Sequence, residues 1–213
     1  MEPDETSTDC ILRRMKRKSF SGWAWNVYNP TKALPEELRF DLLDGHGRNI
    51  GQITYTKITL LKGSEMTTPW GATRIDVGMK GTRVFLGDRE LAQFGGHLLK
   101  KEMELVFPSG QRMPFTPKKG YKNDIEYSDG KGFIGVYEEK GTLPEGDPGM
   151  KPQMTKEDVK MLPKDQRPHS IETRDYVQYS IKSWGTMPVK KEDLIAALAI
   201  FASFGCIVGE IPS

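Results

Sequence analysis

The chain has 213 residues, 37% of them hydrophobic, and its 31 Lys and Arg residues are nearly balanced by 29 Asp and Glu residues. This length suffices for one sizeable core, and a net charge of +2 gives no global attraction to nucleic acid, which we exclude as a partner. The two cysteines, Cys10 and Cys206, lack partners at metal-ligand spacing, which excludes a disulfide framework and favours a reducing, cytoplasmic compartment.

Residues 1–18 are predicted to form a mobile tail that is first acidic and then basic. No apolar stretch follows its acidic residues, which argues against a secretory signal peptide. Residues 11–18 then carry five positive charges in eight positions. The rest of the chain, residues 19–213, is predicted to be one domain.

After this tail, alternation of apolar and polar residues predicts about nine or ten strands before the C-terminal segment. Asp44-Gly-His-Gly47 has strong turn chemistry, so residues 38–61 are predicted to form a β-hairpin. One apolar face and one polar face predict an antiparallel sheet with one side in water. The other stretches with strand character are 23–27, 75–79, 84–86, 103–107, 133–137 and 177–181.

One long stretch breaks the strand pattern. Residues 141–170 hold five of the fourteen prolines and almost no large apolar residues, so we predict a Pro-rich surface insertion. Within it, a capping Thr155 with Glu157 and Asp158 in the first turn predicts a short helix over 155–161. Too little chain follows this insertion to make a second domain.

The only long apolar run is Leu194–Val208, inside a helix predicted at about 190–209. Glu192 and Asp193 suit the positive end of the helix dipole, and Gly209 can end the helix. A helix that is apolar all round is buried in protein or in a membrane. Its apolar run spans roughly 24 Å, which is short for a bilayer core of roughly 30 Å.

The composition of this helix favours burial in protein. Its four alanines, together with Ser203, Gly205 and Cys206, allow other elements to approach it closely on several sides. Ten or so amphipathic strands must close or be covered to remove their edges, and a closed barrel of that size can hold a helix. We therefore predict a mainly β fold, a closed antiparallel β-barrel of about 10–12 strands that encloses the hydrophobic C-terminal helix. A helix outside an open sheet or sandwich and a C-terminal tail anchor are the alternatives.

Two segments resemble sequences of the tubby-like superfamily, which includes the tubby C-terminal domain, the plant LURP-one-related proteins and the phospholipid scramblases. Phe40–Ile53 has the apolar strand, Asp-Gly turn and Ile-Gly pair that recur in LURP-one and scramblase sequences. Ala199–Phe204 is similar to the Ala-Ile and Ser-Phe of the terminal tubby motif, without its Gly-Lys-Leu-Ala-Cys-Glu ending. The resemblance covers roughly residues 20–210.

The resemblance implies a closed twelve-stranded barrel around a central C-terminal helix. It also implies a non-enzymatic function, because tubby domains bind phosphoinositides through a basic pocket on the barrel wall. No local motif transfers those lysines to particular residues here. Glu192 and Asp193 are likewise too few to match the calcium-binding segment of scramblases.

Basic residues are the candidates for contact with anionic lipid, because each contributes about 1 kcal/mol near an acidic membrane surface. The densest cluster lies beside Trp23 and Trp25, and Arg17-Lys-Ser19 is also a candidate phosphorylation site. We expect a cytoplasmic protein, peripheral to a membrane and not integral to it, that binds anionic phospholipid or a protein partner. The candidate lipid-binding residues are Arg13, Arg14, Lys16, Arg17, Lys18, Lys100, Lys101, Lys118, Lys119 and Lys122.

Two other functions are alternatives: an enzyme with its site at the barrel mouth, and a tail-anchored membrane protein. None of the three histidines, His46, His97 and His169, has a Cys or His at ligand spacing. The chain also lacks a nucleophile elbow, a Walker motif and a zincin helix. We therefore predict no catalytic residue, metal site or cofactor.

Overall fold

The computed structural model describes residues 7–19, 38–59, 63–78, 81–95, 103–118, 124–145, 156–163, 166 and 170–209. Two helices occur among them, α1 (Lys156–Met161) and α2 (Lys191–Gly209). The strands are β1 (Ser7–Ser19), β2 (Arg39–Leu43), β3 (Asn49–Thr59), β4 (Gly63–Thr68), β5 (Gly71–Gly78), β6 (Gly81–Leu86), β7 (Arg89–Gly95), β8 (Met103–Val106), β9 (Arg112–Pro117), β10 (Ile125–Ser128), β11 (Gly132–Thr142) and β12 (Ser170–Gly185).

These strands form one closed barrel. Each strand pairs antiparallel with the next one along the chain, and β1 pairs with β12 to close the ring. Closure leaves no strand at a sheet edge, which removes the unpaired backbone groups that an open sheet would expose. The predicted closed antiparallel barrel of about 10–12 strands with a C-terminal helix is confirmed, with twelve strands.

Helix α2 fills the interior of the barrel. Five consecutive residues, 196–200, are at most 1% exposed, so no side of this helix turn faces water. Three of the five are alanines, and their small side chains let the wall approach the helix axis closely. Large inward-facing residues of the wall, among them Leu12, Ile75 and Ile181, complete the core. The alternatives of a helix outside an open sheet and of a tail anchor are therefore wrong.

Polar contacts fix the helix along the barrel. Near its start, Arg89 donates two hydrogen bonds to the Asp193 carboxylate, at 3.1 and 2.9 Å. These bonds hold the pKa of Asp193 below its usual value. Further along, the hydroxyls of Tyr55 and Ser203 are 2.7 Å apart in the buried interior. The helix therefore starts where β7 starts and runs in the same direction as β7.

The predicted mobile tail is wrong for residues 7–18. Ser7–Ser19 is β1, which pairs with β12 over most of its length and with β2 at three positions. Cys10 and Leu12 alternate into the core at 2% and 0% exposure. The side chains between them lie on the outer surface of the barrel, so β1 alternates with a period of two, as a half-buried strand does. Its many charges had suggested a tail.

The structure confirms other sequence predictions. The hairpin is β2 with β3, in which Phe40 pairs with Ile53, and the short helix is α1. The predicted strand at 23–27 lies outside the described residues. In the predicted insertion at 141–170, the chain leaves β11 after Thr142 and enters β12 at Ser170. Among the helices that the structure describes, none has the length and apolar character to cross a membrane.

Candidate functional site

The antiparallel order of the strands gives the barrel two different rims. Odd-numbered strands run in the direction of α2, so they end at the rim toward which the helix runs. We call this the helix-end rim and the opposite one the helix-start rim. At the helix-end rim lie the last residues of six strands, Ser19, Thr59, Gly78, Gly95, Pro117 and Thr142, and the first residues of the strands that follow.

The helix-start rim is closed by short turns whose polar groups bond within the turn. Asp44 accepts hydrogen bonds from the amides of His46 and Arg48, both at 2.9 Å. Asp129 likewise accepts from the amides of Lys131 and Gly132. These bonds stabilise the ionised carboxylates and lower the pKa of both aspartates. In these two turns the carboxylate is bonded within the turn, while Lys131 and Lys190 are exposed beside the same rim.

The connections between strand ends at the helix-end rim have a different composition. Four of them, residues 60–62, 79–80, 96–102 and 119–123, contain six lysines and a single acidic residue, Glu102. These four connections lie outside the described residues, but the strand ends on both sides of each are described. The other two connections at this rim, residues 20–38 and 143–169, together contain six basic and seven acidic residues. The barrel topology thus joins to one rim basic segments that are far apart in the sequence.

The lipid-binding residues predicted from the sequence lie at different positions relative to the helix-end rim. The side chains of Arg17 and Lys18 lie outside the described residues, although both belong to β1. Lys100 and Lys101 fall in the connection from β7 to β8, and Lys119 and Lys122 fall in that from β9 to β10. All four of these lysines lie outside the described residues.

Two predicted tail residues are part of the barrel instead. Arg14 is only 5% exposed, and its guanidinium lies 5.5 Å from the centre of the Phe40 ring. Arg13 lies on the outer wall, where it donates a 3.0 Å hydrogen bond to Gln178 and covers the Tyr176 ring. Both side chains have structural contacts that lipid binding would have to replace. Lys16 is exposed on the same strand.

Lys118 belongs to a cluster on the outer wall that the sequence did not indicate. Its ammonium lies 3.5 Å from Glu126 and 4.9 Å from the centre of the Tyr137 ring. Lys182 approaches the same ring at 5.7 Å. The ring lies across Gly135, where a Cβ atom would come within 2.6 Å of the phenol oxygen. No sequence pattern brings these residues together, because they come from four different strands or strand ends.

On the inner side of the helix-end rim, the Glu138 carboxylate contacts two polar groups. Lys140 contacts one of its oxygens at 2.6 Å, and the Tyr179 hydroxyl donates to the other at 3.3 Å. Burial, followed by the negative charge near it, raises the pKa of Tyr179, so its hydroxyl stays protonated. The ammonium is neutralised by the carboxylate, so this cluster ties β11 to β12. Among the described residues, no group of three or more His, Cys, Asp and Glu side chains could hold a metal ion.

Lys62 and Lys80 are not among the lipid-binding residues predicted from the sequence. Each follows an odd-numbered strand, in the connections at 60–62 and 79–80, outside the described residues. Both were single lysines beside predicted strands, and only the alternation of strand direction relates them to the other basic segments. What relates these lysines is therefore that each connection follows an odd-numbered strand. The density of charge in the local sequence does not relate them.

No protein-family profile, curated protein or solved structure matches the chain.

Proposed function

We propose that this chain is a tubby-like barrel that binds anionic phospholipid of the phosphoinositide type at a membrane surface, through its helix-end rim. The two rims of the barrel differ, and this difference supports the proposal. One is closed by short turns with internally bonded carboxylates, and four of the six connections at the other are rich in lysine. A flat anionic surface can contact several connections at one rim together.

The magnitudes support a peripheral mode of binding. A lysine near an acidic membrane surface contributes about 1 kcal/mol, so the six lysines together are enough for binding without an inserted helix. The attraction acts over about one Debye length, which is near 10 Å at moderate salt and shorter at high salt. Binding should therefore weaken steeply as the salt concentration rises. Because the net charge is only +2, electrostatic binding of this kind depends on cations that are concentrated on one side of the molecule.

Arg13 and Arg14 are unsuitable for testing lipid binding, because both have structural contacts within the barrel. Replacing Arg14 would remove a buried cation from the Phe40 ring, and replacing Arg13 would break its bond to Gln178. Loss of binding in either variant would report on folding as much as on lipid contact. The informative substitutions are therefore in the connections, at Lys100, Lys101, Lys119 and Lys122.

The test is sedimentation with phosphatidylcholine vesicles that contain or lack phosphoinositide. Each of the double variants Lys100→Gln with Lys101→Gln, and Lys119→Gln with Lys122→Gln, is expected to bind about tenfold or more weakly, because two lysines are lost. The matched control is Lys131→Gln with Lys190→Gln, which removes two exposed lysines beside the helix-start rim. This control should bind like the unaltered protein. Equal losses of vesicle binding in all three variants would reject the helix-end rim as the lipid-binding surface. Binding that does not weaken with salt would reject the electrostatic mechanism.

A further inference from the structure

Two buried side-chain oxygens on neighbouring strands have no hydrogen-bond partner in the part of the chain that the structure describes. They are Oδ2 of Asp9 on β1 and Oγ of Ser183 on β12. The Asp9 side chain is 9% exposed and Ser183 is 1% exposed, so bulk solvent does not reach these atoms. Buried polar groups in folded proteins almost always have a partner, so these two atoms call for an explanation.

An irregularity in β1 brings the two groups to the same place. The register of β1 against β12 shifts between Thr8 and Cys10, which makes Asp9 an extra residue, a β-bulge. The Asp9 carboxylate is turned towards the start of α2, where its Oδ1 lies 2.7 Å from the Lys191 ammonium. Ser183 pairs with the residue two positions before Asp9. Cross-strand neighbours offset in this way are about 7–8 Å apart at their Cα atoms, a spacing from which two side chains can share one water molecule.

We propose that Asp9 and Ser183 bind one water molecule inside the barrel, beside the start of α2. Water can donate to Asp9 Oδ2 and accept from the Ser183 hydroxyl at the same time, which satisfies both atoms. A cation fits less well, because the Lys191 ammonium already neutralises the Asp9 carboxylate. The water joins β1 to β12 and, through the Asp9–Lys191 pair, to α2. The site lies at the helix-start rim, so it is independent of the proposed lipid binding.

The sign of a stability change tests the bound water. If water bonds to the Ser183 hydroxyl, Ser183→Ala removes a hydrogen bond, and the equilibrium constant for unfolding in urea should rise about fivefold. If no water is bound, the hydroxyl is unsatisfied, and its removal should lower that constant or leave it unchanged. A constant that does not rise would therefore overturn the proposal.

Ser64→Ala is the matched control. Ser64 is 2% exposed on the inner face of β4, and its hydroxyl also lacks a partner among the described residues. Its cross-strand partners are the apolar Ile58 and Ile75, which cannot help to hold a water molecule. This variant should unfold no more readily than the unaltered protein. Equal increases of the unfolding constant in both variants would overturn the proposal, because they would reflect the loss of a buried serine in general.

A crystal structure of the full chain shows the ligand directly. The expected result is one ordered water within about 3.2 Å of both Asp9 Oδ2 and Ser183 Oγ. A direct hydrogen bond between the two side chains would overturn the proposal. So would a metal ion, which would be recognised by shorter contacts of about 2.0–2.6 Å.

Discussion

Leu198→Ala is expected to destabilise the protein by about 3 kcal/mol or more, because it removes a large side chain from the centre of the barrel. Leu198 is 1% exposed on the inner helix, with fully buried alanines on both sides. The surrounding strands form a closed ring and cannot collapse easily into the cavity. The cost should therefore approach the upper part of the range seen for buried leucines.

The measurement is urea unfolding followed by circular dichroism. Met161→Ala is the matched control, since it also shortens an apolar side chain in a helix, but at a position that is 88% exposed. Its cost should stay within about 0.5 kcal/mol. Similar costs for the two variants would mean that α2 is not the core of the barrel.

Gly81→Ala is expected to destabilise the protein by at least about 2 kcal/mol, because both the backbone conformation and the space at this position require glycine. Gly81 begins β6 with a φ of 130°, and a Cβ atom there would overlap the carbonyl oxygen of Phe94 on β7. The positive φ costs about 1–2 kcal/mol and the forced displacement about 1–3 kcal/mol more. Displacing Phe94 would also disturb its stacking on Phe201 of α2, whose ring centre lies 3.9 Å away.

Gly71→Ala separates the two contributions. Gly71 begins β5 with a similar φ of 121°, but nothing lies within 4 Å of the position that a Cβ atom would occupy. In parallel urea titrations, Gly81→Ala should cost at least about 1 kcal/mol more than Gly71→Ala. Equal costs would show that backbone conformation alone restricts Gly81, and that the contact with Phe94 is unimportant.

The fold could be predicted from the sequence largely because of one segment. The absence of charge between Asp193 and Glu210 required a buried helix, and the alanines within it required close neighbours on all sides. Strands with clear alternation, such as 38–42 and 177–181, were also predictable. Together these features favoured a barrel with a central helix, because a closed ring of amphipathic strands hides such a helix on all sides.

Several strands were missed for separate physical reasons. In β9, Pro114 and Pro117 suggested a break, but β10 pairs only with Thr116 and Pro117, so Pro114 lies beyond the end of that ladder. In β7, an irregular register buries the neighbours Leu91 and Ala92 together, which breaks the alternation. In β4 the inward residues include Ser64 and Thr68, and hydroxyls rarely mark a core face.

The candidate site was only partly predictable, because it depends on topology. Local charge density selected Arg13 and Arg14, whose side chains have structural partners in the barrel. It passed over Lys62 and Lys80, each of which is a single lysine in its connection. Which connections share a rim follows from strand direction, and strand direction could not be assigned while β1, β4, β7, β9 and β10 were unrecognised.

The reactivity of Cys206 tests whether the apolar C-terminal helix lies inside the barrel. Cys206 of α2 and Cys10 of β1 are both buried, and burial raises the pKa of Cys10 to about 12. Treated with a thiol reagent and analysed by mass spectrometry, the native protein should stay unmodified and the urea-unfolded protein should take up two labels. Met161→Cys, with its exposed thiol, should take up one label in the native state. Rapid labelling of Cys206 in the native protein would contradict the enclosed helix.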